Sequence, residues 1–516
     1  MVYGPGEGYS LPGRHGSFWM ETTAGVPHPP LSGNIETDVA VVGGGIAGIT
    51  TAFLLKQAGY AVALIEAGRL SAGVTGHTTA KLTALHRLIY ADLIDQFGSD
   101  LAQQYADANQ TAVEQVASLI REYEIPCDFI RRPAYTYAES PDSRESVAAE
   151  ADAARSLGLP AAFVEEVPLP GRTYGAVRFT DQAQFHPVKY LLSLASLIPG
   201  DGSRIYENTR AVEVRDEKGA LCEVRTENGT VTARSVVLAT HYPFYDSPGF
   251  YYARMEPSYS YVLGVRLDEP FPDGMFINAE SPAHSWRSQP AGDGELVLVG
   301  GMEHRTGEDV DTREHYRALE RYARTIYPLR SVDYRWSTED YITNDGVPYI
   351  GPLADGHENV YIATGFRKWG MTNGTVAGLI ITDMIRGREN PWSEVYAPGR
   401  FKPVASARRF LVHNIEVAEK FIGGAISRPS GEIRDVRPGE GRIMMVEGEK
   451  TGVYRDREGR VRAVNPTCTH MGCIAAWNSA EETWDCPCHG SRYDASGKVI
   501  HGPAVKDLAP RGAREE

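Results

Sequence analysis

Apolar and polar positions change rhythm several times along this chain, and each rhythm predicts a different element. From Ile35 to Glu66 an apolar run, "DVAVV", meets a glycine turn, then apolar positions at helical spacing, then a second run, "VALIE". That order reads as strand, turn, helix, strand. Residues 91–124 keep helical spacing throughout and predict one long helix. Residues 127–340 mix short β-rich runs with turns. In "AVEVRDEKGALCEVRTENGTVTARSVVLAT" a period of two, broken at "EKG" and "ENG", predicts a meander of strands. A second strand–turn–helix follows at 359–386. Residues 388–424 read as a connector with one amphipathic helix, "ARRFLVHNIEVAEKFIG", and from about 431 to 508 short strands with frequent Gly and Pro predict a small all-β module. The expected organisation is an irregular Gly/Pro/Ser-rich leader over 1–34, a large α/β unit over 35–392, a connector over 393–430 and the β module over 431–510.

Composition changes this picture little. The chain has 516 residues, 42% hydrophobic and 23% charged, an ordinary globular balance with room for several domains. A net charge of −15 argues against nucleic acid or an anionic membrane as partner. No stretch reaches the roughly 20 apolar residues of a membrane span, and the N-terminus lacks a basic-then-apolar secretory layout, so a cytoplasmic location is expected. Cys127 and Cys222 stand alone, while four of the six cysteines crowd into residues 468–488.

The front turn carries the first candidate chemistry. Gly43, Gly45 and Gly48 form G-x-G-x-x-G directly after an apolar strand and at the start of a helix. Such glycines allow a tight turn, backbone approach to a pyrophosphate and close helix–strand packing, with the phosphates at the helix N-terminus. Glu66 ends the second strand, where a carboxylate accepts ribose hydroxyls. The pattern predicts dinucleotide binding and leaves FAD or NAD open. Three further segments, "GRLSAGVTGHTTAKL", "SVVLAT" and "DGVPYIGP…NVYIATGFRKWGMTNGTVAGLI", resemble the D-amino-acid oxidase and glycine oxidase superfamily of FAD enzymes over roughly residues 35–392. The resemblance implies a Rossmann-type FAD-binding domain interleaved with an α+β substrate domain. It places Gly365, Gly370, Met371 and Thr372 beside the flavin ring or its ribityl chain. "LSAGVTGH" is similar to the stretch whose histidine carries FAD covalently in dimethylglycine and sarcosine dehydrogenases, which marks His77 as a flavin neighbour with covalent attachment left open. Arg367 and Lys368 interrupt the second turn as candidates to bind a substrate carboxylate or a reduced flavin. His241, His304, Trp336 and Tyr349 are further pocket candidates.

At the other end, Cys468 and His470 form C-x-H, and Cys486 and His489 form C-x-x-H. Two thiolates with two imidazoles suit zinc in principle, yet structural zinc sites usually pair Cys with Cys and His with His. A Rieske [2Fe–2S] centre needs two cysteines and two histidines, with both histidines on one iron. "CTHMGC" and "CPCHGS" resemble the two Rieske boxes, and the resemblance extends over about residues 430–508. It implies that Cys468 and Cys486 bind one iron, His470 and His489 the other, and that Cys473 and Cys488 form a disulfide. It also implies that Ser491 and Tyr493 donate hydrogen bonds that raise the cluster's potential, toward the upper part of about −150 to +300 mV. Rieske oxygenases usually lack the two extra cysteines and carry a second iron site, so that likeness is set aside.

A flavin accepts electron pairs and a Rieske cluster single electrons, so their fusion implies an amine, amino-acid or N-methylated substrate, an FAD, and an external one-electron partner beyond the cluster. "VLVGGMEHRTG" has glycines but no second G-x-G-x-x-G, so reduction by NAD(P)H is not expected. Two other outcomes remain open at this point: an oxidase using dioxygen with the cluster as structural or redox-sensing element, and a non-catalytic electron-transfer module.

Overall fold

The computed structural model describes residues 11–217, 219–292, 294–308, 311–400, 414–415, 417–424, 426–427 and 429–512. The apolar run at 35–42 is the strand Ile35–Val42, and it sits at the centre of an eight-stranded sheet. Thr230–Leu238 flanks it in parallel on one side and Val62–Ile65 on the other; Val360–Thr364 and Arg204–Tyr206 extend the parallel run outward. Parallel central strands are covered on both faces, which explains why Val39, Ala40, Val41 and Val62 to Ile65 are all buried. The alternation at 222–226 has the other cause: Cys222–Thr226 alternates buried and exposed residues in a peripheral antiparallel ladder with Ala211–Arg215 and Thr230–Leu238.

The helix Ile46–Gln57 packs against the later helix Gly370–Ile385. Two glycines set their close approach. A Cβ on Gly374 would lie 2.7 Å from Ile46 Cγ2, and one on Gly378 2.7 Å from Thr50 Cγ2. Both helices begin at the same hollow, which their first residues line.

A ten-stranded sheet covers this hollow. Its long strands are Met255–Leu267, Gly294–Arg305 and Leu329–Thr343, joined by His284–Ala291, Ile130–Tyr137 and Ala176–Gln184, with Lys81–Leu82 at one edge. The C-terminal module consists of a three-stranded sheet, Glu440–Val446, Glu449–Arg455 and Val461–Val464, and a four-stranded sheet between Ala476 and His501. This combination is the expected fold class: an α/β dinucleotide-type domain, an interleaved α+β domain and a small all-β module.

Two expectations meet differences. The single helix over 91–124 is two, Tyr90–Phe97 and Ser99–Glu122, broken at Gly98, whose φ of +83° a regular helix does not admit. The leader is irregular only in part. Residues 1–10 lie outside the described residues, but Arg14–His15 pairs in parallel with Leu329–Thr343, and the helix Phe18–Glu21 buries Phe18 and Trp19 beside Val262, Leu298 and Trp336. Aromatic burial overrides the Gly/Pro-rich composition there. Of the connector helix, residues 401–413 and 416 lie outside the described residues, while 417–424 are helical.

Candidate active site

Between the two large sheets lies one continuous cavity of about 1510 Å3. Its far end is the front glycine turn. Gly43 has φ +110°, and a Cβ there would sit 2.3 Å from Ala239 O; a Cβ on Gly48 would meet Gly43 O at 1.8 Å. A Cβ on Gly45 would meet only Thr75 Oγ1, at 3.0 Å, and would otherwise project into the hollow. So Gly43 and Gly48 keep the turn tight, and Gly45 keeps the helix N-terminus open to a ligand. Glu66 lines the same end and is anchored: Gly44 N–H donates to Oε2 at 2.7 Å and Gly68 N–H to Oε1 at 2.8 Å. Burial raises its pKa against those two bonds.

His77 lines the cavity wall. Its Nδ1 lies 2.8 Å from Gly73 O, and the Trp336 indole N–H donates to its carbonyl at 2.8 Å. Burial holds the ring's pKa down. Arg367 and Lys368 form the second turn with φ of +50° and +68°, and both reach the cavity. Lys368 Nζ pairs with Glu303 at 2.7 Å, with Arg87 3.6 Å from the same carboxylate. Gly370 and Met371 line the wall. Gly48, Gly365 and Thr372 stand behind it, with Thr372 Oγ1 3.0 Å from His86 Nε2. Of the other pocket candidates only His241 reaches the surface of the cavity; His304, Trp336 and Tyr349 do not.

The small module closes the cavity on one side, with Arg492, His501, Gly502 and Ala504 in its wall. His501 Nε2 lies 3.0 Å from His241 Nδ1, and His241 Nε2 lies 3.0 Å from Asp340 Oδ1. No sequence signal pointed to His501, because nothing in its own module requires a histidine.

Just behind this wall the cysteines and histidines of the two boxes converge. Cys468 and Cys486 are buried, and a hydrogen bond from the Cys486 thiol lowers the pKa of the Cys468 thiol. The rings of His470 and His489 are 5.0 Å apart and perpendicular. His470 Nδ1 is buried with no hydrogen-bond partner, as expected of a ring nitrogen reserved for a metal. A disulfide joins Cys473 to Cys488 and ties the loops together. Tyr493 OH donates to Cys468 Sγ at 3.2 Å, and Ser491 Oγ accepts from Ala504 N–H at 3.1 Å. Two close thiols, two imidazoles, an orphaned ring nitrogen and a hydroxyl on a ligand sulfur fit an iron–sulfur cluster.

The histidine edge of this site faces the larger domain. His470 Nε2 lies 3.1 Å from Asp246 Oδ2, which also accepts from Tyr242 OH at 3.3 Å. Tyr341 OH donates to His489 O at 3.2 Å, and the Tyr341 ring lies 4.8 Å from those of His241 and Tyr242. His241 and Tyr242 line the cavity. One layer of side chains therefore separates the two sites.

A hollow that ends at a dinucleotide-type glycine turn, walled by a module that gathers thiols and imidazoles, has the build of a two-centre redox protein. Comparison with known proteins narrows that class. The family described as FAD dependent oxidoreductase matches residues 38–384, and the Rieske [2Fe-2S] domain family matches residues 428–510. The chain thus belongs to the FAD dependent oxidoreductase family and carries a C-terminal Rieske domain, with FAD and a 2Fe–2S cluster as its cofactors. It is 38% identical over 95% of its length to a Bacillus subtilis (strain 168) protein, covering 96% of that chain, which bears the provisional name Rieske 2Fe-2S iron-sulfur protein YhfW. It is 25% identical to the gamma-glutamylputrescine oxidoreductase of Escherichia coli (strain K12) over 72% of this chain and 90% of that one. Glycine oxidase from Geobacillus kaustophilus shares the fold with a TM-score of 0.61 at 19% identity, covering 71% of this chain and 99% of its own. Among the described residues no helix is long and apolar enough to cross a membrane.

Proposed function

We propose that this protein dehydrogenates an amine or amino acid at FAD and passes the electrons singly through its Rieske cluster to an external acceptor. The observation that carries this reading is the shared wall: His241, Tyr242, Asp246 and Tyr341 run from the cavity to both cluster histidines. When bound, FAD accepts a hydride from carbon adjacent to nitrogen, and the cluster exchanges one electron at a time.

The chain's own residues have distinct tasks. The turn of Gly43, Gly45 and Gly48 holds the pyrophosphate and Glu66 accepts ribose hydroxyls. His77, Gly370 and Met371 bound the flavin's space, and Gly365 and Thr372 support that turn from behind. The Lys368–Glu303 pair suits a substrate that bears both charges: an ammonium exchanges for Lys368 and a carboxylate for Glu303. Arg367 adds positive charge beside it. Cys468 and Cys486 bind one iron and His470 and His489 the other, while Tyr493 steadies a ligand sulfur.

An anaerobic spectral titration with glycine, L-proline and γ-glutamylputrescine tests the reading. Substrate should bleach both flavin and cluster and consume little dioxygen in air. Cys486→Ser should lose iron while its flavin remains reducible. Turnover of that variant with a one-electron dye at the parent rate would remove the cluster from the route. Rapid dioxygen uptake would make the protein an oxidase, and a flavin that no amine reduces would make it a relay.

A further inference from the structure

Lys81 is buried in the cavity wall on the short strand Lys81–Leu82, at the edge of the covering sheet. Its Nζ donates to Thr79 Oγ1 at 3.2 Å and Ser285 Oγ at 3.0 Å, and both hydroxyls also line the cavity. Among the described residues no carboxylate bonds to it. Four other ionisable groups of the cavity wall are engaged. Glu303 is paired with Lys368, Asp340 binds His241 and the Lys368 N–H, and His86 is held by Tyr105 and Thr83. Glu339 Oε1 accepts from the Thr306 hydroxyl, and its carboxyl lies against the backbone of Gly490. Around Lys81, the paired strand Ala176–Gln184 presents the neutral Gln184, and His284–Ala291 presents Ser285 and the cationic Arg287. Gly294–Arg305 presents Gly300, near Thr79 and Ser285, and also carries Glu303.

An ordinary lysine buried without a counter-ion is a poor structural choice, because the charged form loses its hydration. Burial, with Arg287 adding repulsion, lowers the Lys81 amine from its usual 10.5 to about 7. A neutral amine held by two hydroxyls keeps its lone pair for a ligand. Amines enter as ammonium ions, whose nitrogen lone pair must be freed before the adjacent carbon can give up a hydride.

We infer that Lys81 is the catalytic base that deprotonates the substrate ammonium. An N–H bond of the substrate ammonium breaks, an N–H bond forms at Lys81 Nζ, and no electrons change centre in this step. The proton then leaves Nζ for water as the oxidised product departs. This inference rests on the amine-dehydrogenase reading above.

The test measures anaerobic flavin reduction by the same three probes against pH, in the parent and in Lys81→Met. In the parent the rate should rise with pH and level off above about 7. Lys81→Met should bind flavin normally yet reduce it ~100-fold more slowly at pH 7. Its rate should keep rising toward pH 9 to 10, where the free amine forms in solution. A second readout uses the unaltered holoprotein: acetic anhydride at pH 7.5, with peptide mapping, should label Lys81 ahead of exposed lysines. Equal rates and profiles in parent and variant overturn the inference while leaving the function standing. Labelling of Lys81 only above pH 9 also overturns it. If none of the probes reduces the parent flavin, both readings fall.

Discussion

Replacing Asp246 by Asn tests the link between the two redox sites. Both side chains of the His470–Asp246 contact are nearly inaccessible, at 10% and 6% exposure, so water screens their interaction little. A hydrogen bond with a charged partner contributes about 1.5–3 kcal/mol and a neutral one about 0.5–1.5, so neutralising the carboxylate while keeping the amide removes about 1–1.5 kcal/mol. The carboxylate favours the more positive, oxidised cluster. Losing it therefore raises the midpoint potential. At about 59 mV per tenfold for one electron and 1.36 kcal/mol per tenfold, the expected rise is about 45–65 mV. A potentiometric titration followed by EPR or visible circular dichroism of the reduced cluster reads this directly. A potential unchanged within ~15 mV, or lowered, would show that Asp246 does not feel the cluster's charge and would break the proposed contact.

Other perturbations separate fold from function. Gly45→Ala should leave thermal stability intact, because its Cβ meets only Thr75 Oγ1, yet lose flavin absorbance. Gly48→Ala should lose both, at more than about 3 kcal/mol, because its Cβ overlaps Gly43 O. Arg492 stacks over Tyr259 at 5.2 Å and lies 3.4 Å from the buried Asp485 carboxylate, to which Tyr259 OH also donates. Arg492→Met removes that carboxylate's charge partner at the domain contact, leaving it only the neutral donors Tyr259, Asn478 and Thr483. It should cost about 3 kcal/mol, with the Rieske module melting earlier than the flavin domain in calorimetry. Lys81→Met should stabilise the fold. The buried amine binds fewer protons folded than unfolded between about pH 7 and 10.5, so its penalty is largest below 7 and fades as pH rises. The gain from Lys81→Met should therefore be about 3 kcal/mol larger at pH 6.5 than at 9.5 in denaturant unfolding.

What could be read in the chain depended on whether neighbours in sequence were also neighbours in space. The strand–turn–helix at 35–66, the meander at 211–238 and the helix after Gly370 were legible because period and turn residues are local properties. The break at Gly98 was not, since an isolated glycine interrupts a helix only where packing demands a positive φ. Trp19 sits in a stretch whose composition argues for a loop, and its burial depends on Val262 and Trp336, far along the chain.

The same division holds for the site. The sequence alone determined dinucleotide binding at the front and a mixed thiol–imidazole site at the back, because the glycine turn and the two Cys/His boxes each contain most of their own geometry within a few residues. FAD rather than NAD rested on resemblance over a much longer stretch. Tertiary structure alone decided how the centres meet. His241 and Asp246 share the loop after Thr230–Leu238, but Tyr341 and His501 come from distant strands, and each residue type is unremarkable where it stands. The burial of Lys81 was equally hidden, for desolvation and a nearby Arg287 are properties of packing rather than of order along the chain. A short range of interaction makes a motif readable, whereas a charge or a contact shared between domains exists only once the chain has folded.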